Sequence, residues 1–513
     1  MISSRTTARA DDAPDAIVIG AGHNGLVAAN LLVDAGWAVT VYEASSEPGG
    51  AVRSGEVTVP GFRTDLFSAF YPLSAASPAL AALSLGDWGL TWRRAPAVLS
   101  HVFPDGRTAT LWQDAQRTAE SLAQFHPADG DAWIGLTEEW DHVRDHVIQA
   151  LFQPFPPIRP GVKLARDLGL GDTLRMARMA LQPVRRFGEE RFHGAGGPIL
   201  LAGNALHADL SPDGAGSALY GWLLAMLGHS HGFPVPAGGA DQLVAALVRR
   251  LGAKGGQIHL NAPVTGIEVT AGSATGVVLD SGERIHARRA VLADVAAPAL
   301  YRGLIGRGHL PARFMADLDN FQWDNPTLKI DWAVGTPVPW TAPEPALAGT
   351  VHLGVDLDGL SDYAADLATR RVPSHPFVLF GQMTTADAER SPAGTESAWA
   401  YTHLPRGFNG DPQVVAEQVA RVEAILERHA PGFGTSVLGR YVQAPADLQR
   451  SDANLVDGAI NGGTAQLHQQ AVFRPVPGLG GPVTPVDRLF LAGSSAHPGG
   501  GVHGGPGANA AAA

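Results

Sequence analysis

Three short apolar runs stand far apart along the chain, at residues 17–19, 291–293 and 487–492. Their cores show no polar alternation and are too short for a buried helix. Each therefore reads as a strand buried on both faces of a parallel sheet. Ile17, Val18 and Ile19 lead into Gly20, Gly22 and Gly25, spaced G-x-G-x-x-G. Residues 26–35 then read as a helix, and residues 38–42 as a second strand ending at Glu43. Glycine at 20 lets the chain turn sharply out of the strand. Glycine at 22 lets backbone approach a pyrophosphate, and glycine at 25 lets the helix pack close to the strand. The helix N-terminus then offers N–H groups and a positive dipole end to that anion. Glu43 stands where an acidic side chain accepts hydrogen bonds from a ribose diol. The plain alternative is a glycine-rich turn without a ligand. Strand, glycines, helix, strand and acid in this order argue for a dinucleotide, without saying which.

From residue 77 to 232 the pattern changes. Residues 98–102 and 108–112 flank Phe103-Pro104-Asp105-Gly106-Arg107 and read as a hairpin. Helical patterns follow over 115–125, 131–152 and 162–184. After a helix at 241–251, short strands return around 258–260, 264–269, 276–279, 283–287 and 290–293. Residues 233–297 are therefore expected to rejoin the first sheet. Residues 298–484 read as a second insertion, with strands at 327–334, 376–381 and 398–403. In it Asp411 is placed as N-cap and Pro412 at the first helical position, ahead of an apolar stripe of Val415, Val419, Val422 and Leu426. The expected fold is α/β. A discontinuous Rossmann-like domain (15–76, 233–297 and 485–513) is interrupted by an inserted α+β substrate domain (77–232 and 298–484).

Composition narrows the function classes. A chain of 513 residues exceeds one hydrophobic core. A net charge of -12 without any Lys/Arg-rich run argues against nucleic acid as a partner. Cysteine is absent, which removes disulfides, thiolate nucleophiles and cysteine-bound metals, and fits a cytoplasmic protein. Residues 1–14 are polar and read as a disordered leader rather than a signal peptide. No apolar stretch approaches the roughly 20 residues that span a bilayer. Lys163, Arg166, Arg175, Arg178, Arg185 and Arg186 lie among Leu, Met and Ala. They read as a basic amphipathic helix touching a membrane, or as a solvated helix with an ordinary core face. Asp167, Asp172, Glu189 and Glu190 dilute the charge and favour the second, leaving peripheral membrane contact as the open alternative. No pattern supports hydrolysis or a metal site, and oligomeric state is not legible.

The C-terminal run Gly493–Gly507 is the second strong signal. Glycines at 499–501 would let backbone touch a flat ligand, and the helix that follows would oppose negative charge on it. Together GAGHNGLVAANLL…VYEAS…PGG, PVPAGGADQLVAAL…GGQI and LFLAGSSAHPGGGVHGGPGANAA resemble the phytoene desaturase-like flavoprotein family. Within it they are most similar to the group of pyridine nucleotide-disulfide oxidoreductase domain-containing protein 2, with carotenoid desaturases and ketolases further off. The resemblance implies an amine-oxidase-like (GR2) FAD-binding domain, with FAD extended across the first βαβ unit and the C-terminal motif. It implies that Gly20, Gly22 and Gly25 hold the pyrophosphate and Glu43 the adenosine ribose. Gly49, Gly50 and Arg53 would follow the phosphates and ribityl chain, and the Val264 backbone would face the adenine. Gly493 and Ser494 would lie near the pyrophosphate and ribityl group, and Gly501, Val502 and His503 at the isoalloxazine. Ser494 departs from the Asp of many wider relatives, which weakens the ribityl assignment.

Lys329, beside Lys163 and Lys254 the only lysine, resembles the lysine that amine-oxidase-type flavoenzymes set opposite flavin N5. A solvent-facing strand lysine is the equal alternative. Any of His207, His229, His231, His497 and His503 could carry a proton near neutrality. A structural role is favoured for each, and His503 ranks first as a catalytic candidate because its motif places it nearest the ring. The expected function is an FAD-dependent oxidoreductase acting by hydride transfer on a small apolar substrate of polyene or isoprenoid type. One rival is a tailoring enzyme that dehydrogenates or reductively cyclises a polyene natural product. Another is a non-catalytic protein of GDP-dissociation-inhibitor type that binds proteins and lipid groups. Amine oxidation is less favoured, because no aromatic cage is legible.

Overall fold

The computed structural model describes residues 13–513; most of the expected leader at 1–14 lies outside the described residues. Two sheets dominate. The first is parallel and five-stranded, in the order Leu489–Leu491, Ala290–Ala293, Ala16–Ile19, Val39–Tyr42, Gln257–His259. Successive side chains of its strands point to opposite faces. Ala16, Val18, Val39, Val41, Ala290 and Leu292 pack in one core with helices His23–Asp34 and Asp241–Ala253. Ile17, Ile19, Tyr42, Val291 and Leu489 pack in another, with Ile267, Val277 and Leu300. Burial on both faces is why these strands read as unbroken apolar runs.

Residues 233–297 rejoin this sheet only in part. Gln257–His259 and Ala290–Ala293 enter it, whereas Val264–Thr270, Ser273–Leu279 and Arg284–His286 form a separate antiparallel three-stranded sheet. Tight turns between these three strands pair each with its sequence neighbour, and their half-exposed faces cannot occupy the sandwiched sheet.

The second large sheet has seven strands: Val437–Gln443, Thr327–Val334, Glu396–His403, Val378–Gln382, Ala348–Leu353, Ala97–Val102 and Thr108–Leu111. The expected hairpin is present, but Ala97–Val102 also pairs in parallel with Ala348–Leu353. The two insertions therefore build one sheet. One face carries Leu328, Ile330 and Trp332 against Val419, Val422 and Leu426 of helix Pro412–His429. Burying each such side chain contributes about 1.5–3 kcal/mol. Asp411 caps that helix by accepting the Gln413 N–H, with Pro412 in its first turn. The opposite face carries Leu379 and Trp399, which join the core built by helices Asp129–Phe152, Gly196–Leu206 and Ser217–His231.

Candidate active site

A cavity of about 840 Å³ lies between the two sheets. Its upper wall is formed where the parallel strands end: Gly20 follows Ile19, Glu43 follows Tyr42, Asp294 follows Ala293, and Gly493 and Ser494 follow Leu491 and Ala492. Carboxyl ends of parallel strands, at the point where strand order reverses, are where doubly wound sheets bind nucleotides. Among the described residues the cavity is lined by Gly20, Gly22, Glu43, Gly50, Val264, Lys329, Gly493, Ser494, Gly501 and Val502.

The glycine turn admits no side chain. A Cβ at Gly22 would stand 2.6 Å from Asp294 Oδ2, and one at Gly25 would press into the Gly20 carbonyl oxygen. Gly20 itself has φ +93°, which other residues rarely adopt. The N-cap Gly22 has no side chain to cap helix His23–Asp34, and Asp294 takes up the Gly25 N–H there, so the outer edge of the first turn is the part that faces an anion. These features fit a bound pyrophosphate. Glu43 accepts the N–H groups of Ala21 at 2.7 Å and Ser45 at 2.8 Å. Asn24 Nδ2 donates to Ser494 Oγ at 3.3 Å, joining the first helix to the C-terminal strand exit.

Gly25, Gly49, Arg53 and His503 do not line the cavity. Gly25 donates its N–H to Asp294 Oδ2 at 2.8 Å and acts through packing. Gly49 donates to the Ala21 carbonyl, behind the cradle. Arg53 donates to the carbonyls of Gly50 at 2.9 Å and Ser451 at 2.6 Å, bracing one loop against the other. His503 Nδ1 accepts the Gly505 N–H at 3.0 Å, just before the C-terminal helix Gly505–Ala512. Its Nε2 lies 3.3 Å from the Gly500 carbonyl, and its ring meets Phe152 edge-on. Burial pulls its pKa down to about 3, so the imidazole is neutral. Both ring nitrogens are occupied by backbone, so the expectation that ranked it first as a proton carrier is corrected: its neighbours give it a structural place. His207 lines the cavity instead.

The lower wall belongs to the seven-stranded sheet. Lys329 stands opposite Tyr401, and Asp331 opposite Trp399, on adjacent antiparallel strands. Residues two apart share a face, so all four project from one side of the sheet. Lys329 is buried and pairs with the fully buried Asp331, which excludes the solvent-facing alternative. Burial pushes the Asp331 carboxyl up to about 6, against the pull of the Lys329 ammonium. Lys329 Nζ also lies 5.9 Å from the Trp399 ring centroid. The rings of Trp399 and Tyr401 are nearly parallel, 3° apart in plane, with centroids separated by 6.1 Å. Phe70 and Leu379 complete this wall. An aromatic pair at the cavity is thus present; in the sequence it was hidden in ordinary strand alternation. His207 and His352 share a hydrogen bond at 2.8 Å between their Nε2 atoms, and burial holds both neutral.

Further site residues also escaped sequence reasoning. Asp294 and Asp452 line the cavity with Glu43. Burial is the main cause that pushes Asp294 up to about 7; Asp452 and Glu43 add to it, and the Gly25 N–H opposes it. An acid directly after a buried parallel strand repeats the Glu43 pattern and was a usable signal. Asp452 lies in an aperiodic stretch that offered none. The cavity loop around Ile460–Gly463 is held from both sides. Asp324 accepts the N–H groups of Ile460, Asn461 and Gly463. The buried Arg474 donates to the carbonyls of Asn461, Gly462, Thr464 and Ser494.

The family model described as flavin containing amine oxidoreductase matches residues 25–391. The chain belongs to that family. Its cofactor is FAD, and the protein is an FAD-dependent oxidoreductase. Pyridine nucleotide-disulfide oxidoreductase domain-containing protein 2 of Rattus norvegicus is 29% identical, across 97% of this chain and 92% of its own. A neurosporene-forming phytoene desaturase of Cereibacter sphaeroides is 26% identical, across 96% and 93%. These findings bear out the resemblance read from the motifs. Among solved structures, an oxidoreductase from Methanosarcina mazei is similar with a TM-score of 0.63 at 16% identity, covering 97% of this chain and 98% of that one. At that identity the likeness shows the shared fold.

Proposed function

We propose that this flavoenzyme dehydrogenates, or isomerises by hydride transfer, an apolar unsaturated substrate of polyene or isoprenoid type. The observation that carries this reading is the wall around Lys329. Trp399, Tyr401, Phe70 and Leu379 present flat or apolar surface, and the cation among them is already paired with Asp331. Bound FAD supplies the two-electron acceptor. In this reading Gly20, Gly22 and the first helix receive the pyrophosphate, with Gly25 holding that helix close to the strand, Glu43 receives the ribose, and Val264 the adenine. Gly493 and Ser494 serve the ribityl side, and Gly501 and Val502 the ring. Trp399 and Tyr401 hold a planar segment of substrate, and the apolar lining excludes water. Asp331 holds the Lys329 ammonium at the cavity wall as a fixed N–H donor.

Amine oxidation is the second reading, favoured by the parallel aromatic pair. An ammonium already over Trp399 repels a second cation there, which weighs against it. Anaerobic titration of the yellow holoenzyme distinguishes the two. Bleaching of the flavin band by a detergent-dispersed acyclic polyene, and not by primary amines, is the expected result. Bleaching by amines alone would replace the proposal.

A further inference from the structure

Helix Ile158–Leu181 meets the core through Leu164, Leu168, Met176 and Met179. That face satisfies the ordinary role of a surface helix. The same helix carries a second apolar set on the outside. Ile158, Val162, Leu170, Leu174 and Leu181 are each 60–77% exposed. Among the described residues they are five of the ten large hydrophobic side chains left exposed, all on one element. Gly169, at φ +74°, divides the helix into two stretches. Ile158 and Val162 lie four apart in the first. Leu170, Leu174 and Leu181 recur at spacings of four and seven in the second, which sets them on one side of a helix. Scattered exposed apolar residues need no explanation, whereas a concentrated row marks a contact surface.

Charge indicates the partner. Arg159, Lys163, Arg166, Arg175 and Arg178 are exposed along the same helix, in a chain whose net charge is -12. Arg166, Arg175 and Arg178 have acidic neighbours in Asp167, Asp172 and Glu190. Arg159 and Lys163 take no part in those pairs, and they flank Ile158 and Val162. A two-fold contact with a second copy would set this cationic helix against its own like charges. An anionic lipid surface matches both the apolar row and the cations. We infer that helix Ile158–Leu181 seats the protein on anionic membrane surfaces, inserting Ile158, Val162, Leu170, Leu174 and Leu181 at the headgroup boundary while Arg159 and Lys163 meet lipid phosphates. The inference stands independently of the substrate reading.

The test uses the FAD-loaded full-length enzyme in flotation with phosphatidylcholine vesicles, with and without phosphatidylglycerol. Wild-type protein is expected to float with the mixed vesicles. Leu170→Gln/Leu174→Gln should lower the bound fraction by at least about tenfold. Arg159→Gln and Lys163→Gln should each cost about fivefold, only on the anionic vesicles. Unchanged flavin absorbance and melting temperature certify that these surface variants are folded. Failure of wild type to bind mixed vesicles, or equal binding by the leucine variant, overturns the inference. A wild-type dimer dispersed by Leu170→Gln/Leu174→Gln assigns the row to a second copy and overturns it as well.

Discussion

At the scale of single residues, the site rests on charges held away from water. Lys329 and Asp331 stabilise each other only as a pair. Lys329→Met strands a buried carboxylate, whose Oδ2 already lacks a partner. Such a loss costs about 3–5 kcal/mol, less where Asp331 takes up a proton. The expected outcome is a lowered melting temperature and slowed flavin turnover with FAD still bound. Adding Asp331→Asn should restore much of the stability but not the turnover. If the single variant turns over as wild type, Lys329 has no role at the reaction. Asp294 makes a second prediction. Its folded pKa of about 7 stands above the usual 3.8. The folded protein therefore keeps a proton that the unfolded chain has released, and stability falls as pH rises from about 4 to about 7. A pyrophosphate anion likewise prefers the protonated form, so FAD affinity should fall as pH rises above about 7, by at most tenfold per unit. Asp294→Asn should flatten the FAD profile and reduce the stability slope, whose remainder comes from the raised carboxyls of Asp331 and Glu396, read by FAD titration of the apoprotein and denaturant unfolding. A variant that keeps the wild-type slope contradicts this account of Asp294.

At the scale of elements, the glycine turn couples strand Ala16–Ile19 to helix His23–Asp34 through backbone contact. Gly25→Ala sets a methyl against the Gly20 carbonyl, so helix and strand must part. Overpacking of this kind costs about 1–3 kcal/mol. Weaker FAD binding by that amount is expected in a protein that remains folded; undiminished affinity would show that the close approach is dispensable. This turn was legible because its glycine spacing and the contact of Gly25 with Gly20 are local, although Asp294 closes on the same glycines from a distant strand. The Trp399–Tyr401 wall was not, because strand Glu396–His403 alternates like any buried strand. Only its pairing with Thr327–Val334 reveals that its aromatic positions share a face with Lys329. His503 misled for the converse reason: proximity of its motif to the ring side said nothing about the direction of its side chain.

At the scale of the molecule, segments distant in sequence must be fastened together. Arg390, fully buried, binds Asp65 through two bonds at 2.8 and 3.1 Å, Asp387 at 3.1 Å and the Pro236 carbonyl at 3.2 Å. Asp65 also accepts the Ala240 N–H, and Asp387 the Gly238 N–H. One guanidinium thus joins three stretches of chain between the sheets. Arg390→Met leaves two buried carboxylates uncompensated, and a loss of about 3–5 kcal/mol is expected in thermal or denaturant unfolding. An unchanged melting temperature would show that other contacts carry this junction.

The sequence by itself determined the glycine turn, the place of Glu43 after the second strand and the three buried parallel strands, whereas FAD followed from the resemblance carried by motifs far apart in the chain. The first three depend on residue types at short spacing, where backbone geometry leaves little choice. Tertiary structure decided which strands became neighbours. It merged the hairpin Ala97–Val102 and Thr108–Leu111 with the second insertion and set the Val264–Leu279 strands apart from the parallel sheet. It buried Lys329 against Asp331, turned His503 away from the cavity and brought Asp452 to it. The physical reason is the period of a strand. Alternation assigns side chains to two faces, but only packing against the rest of the molecule decides which face looks onto the cavity.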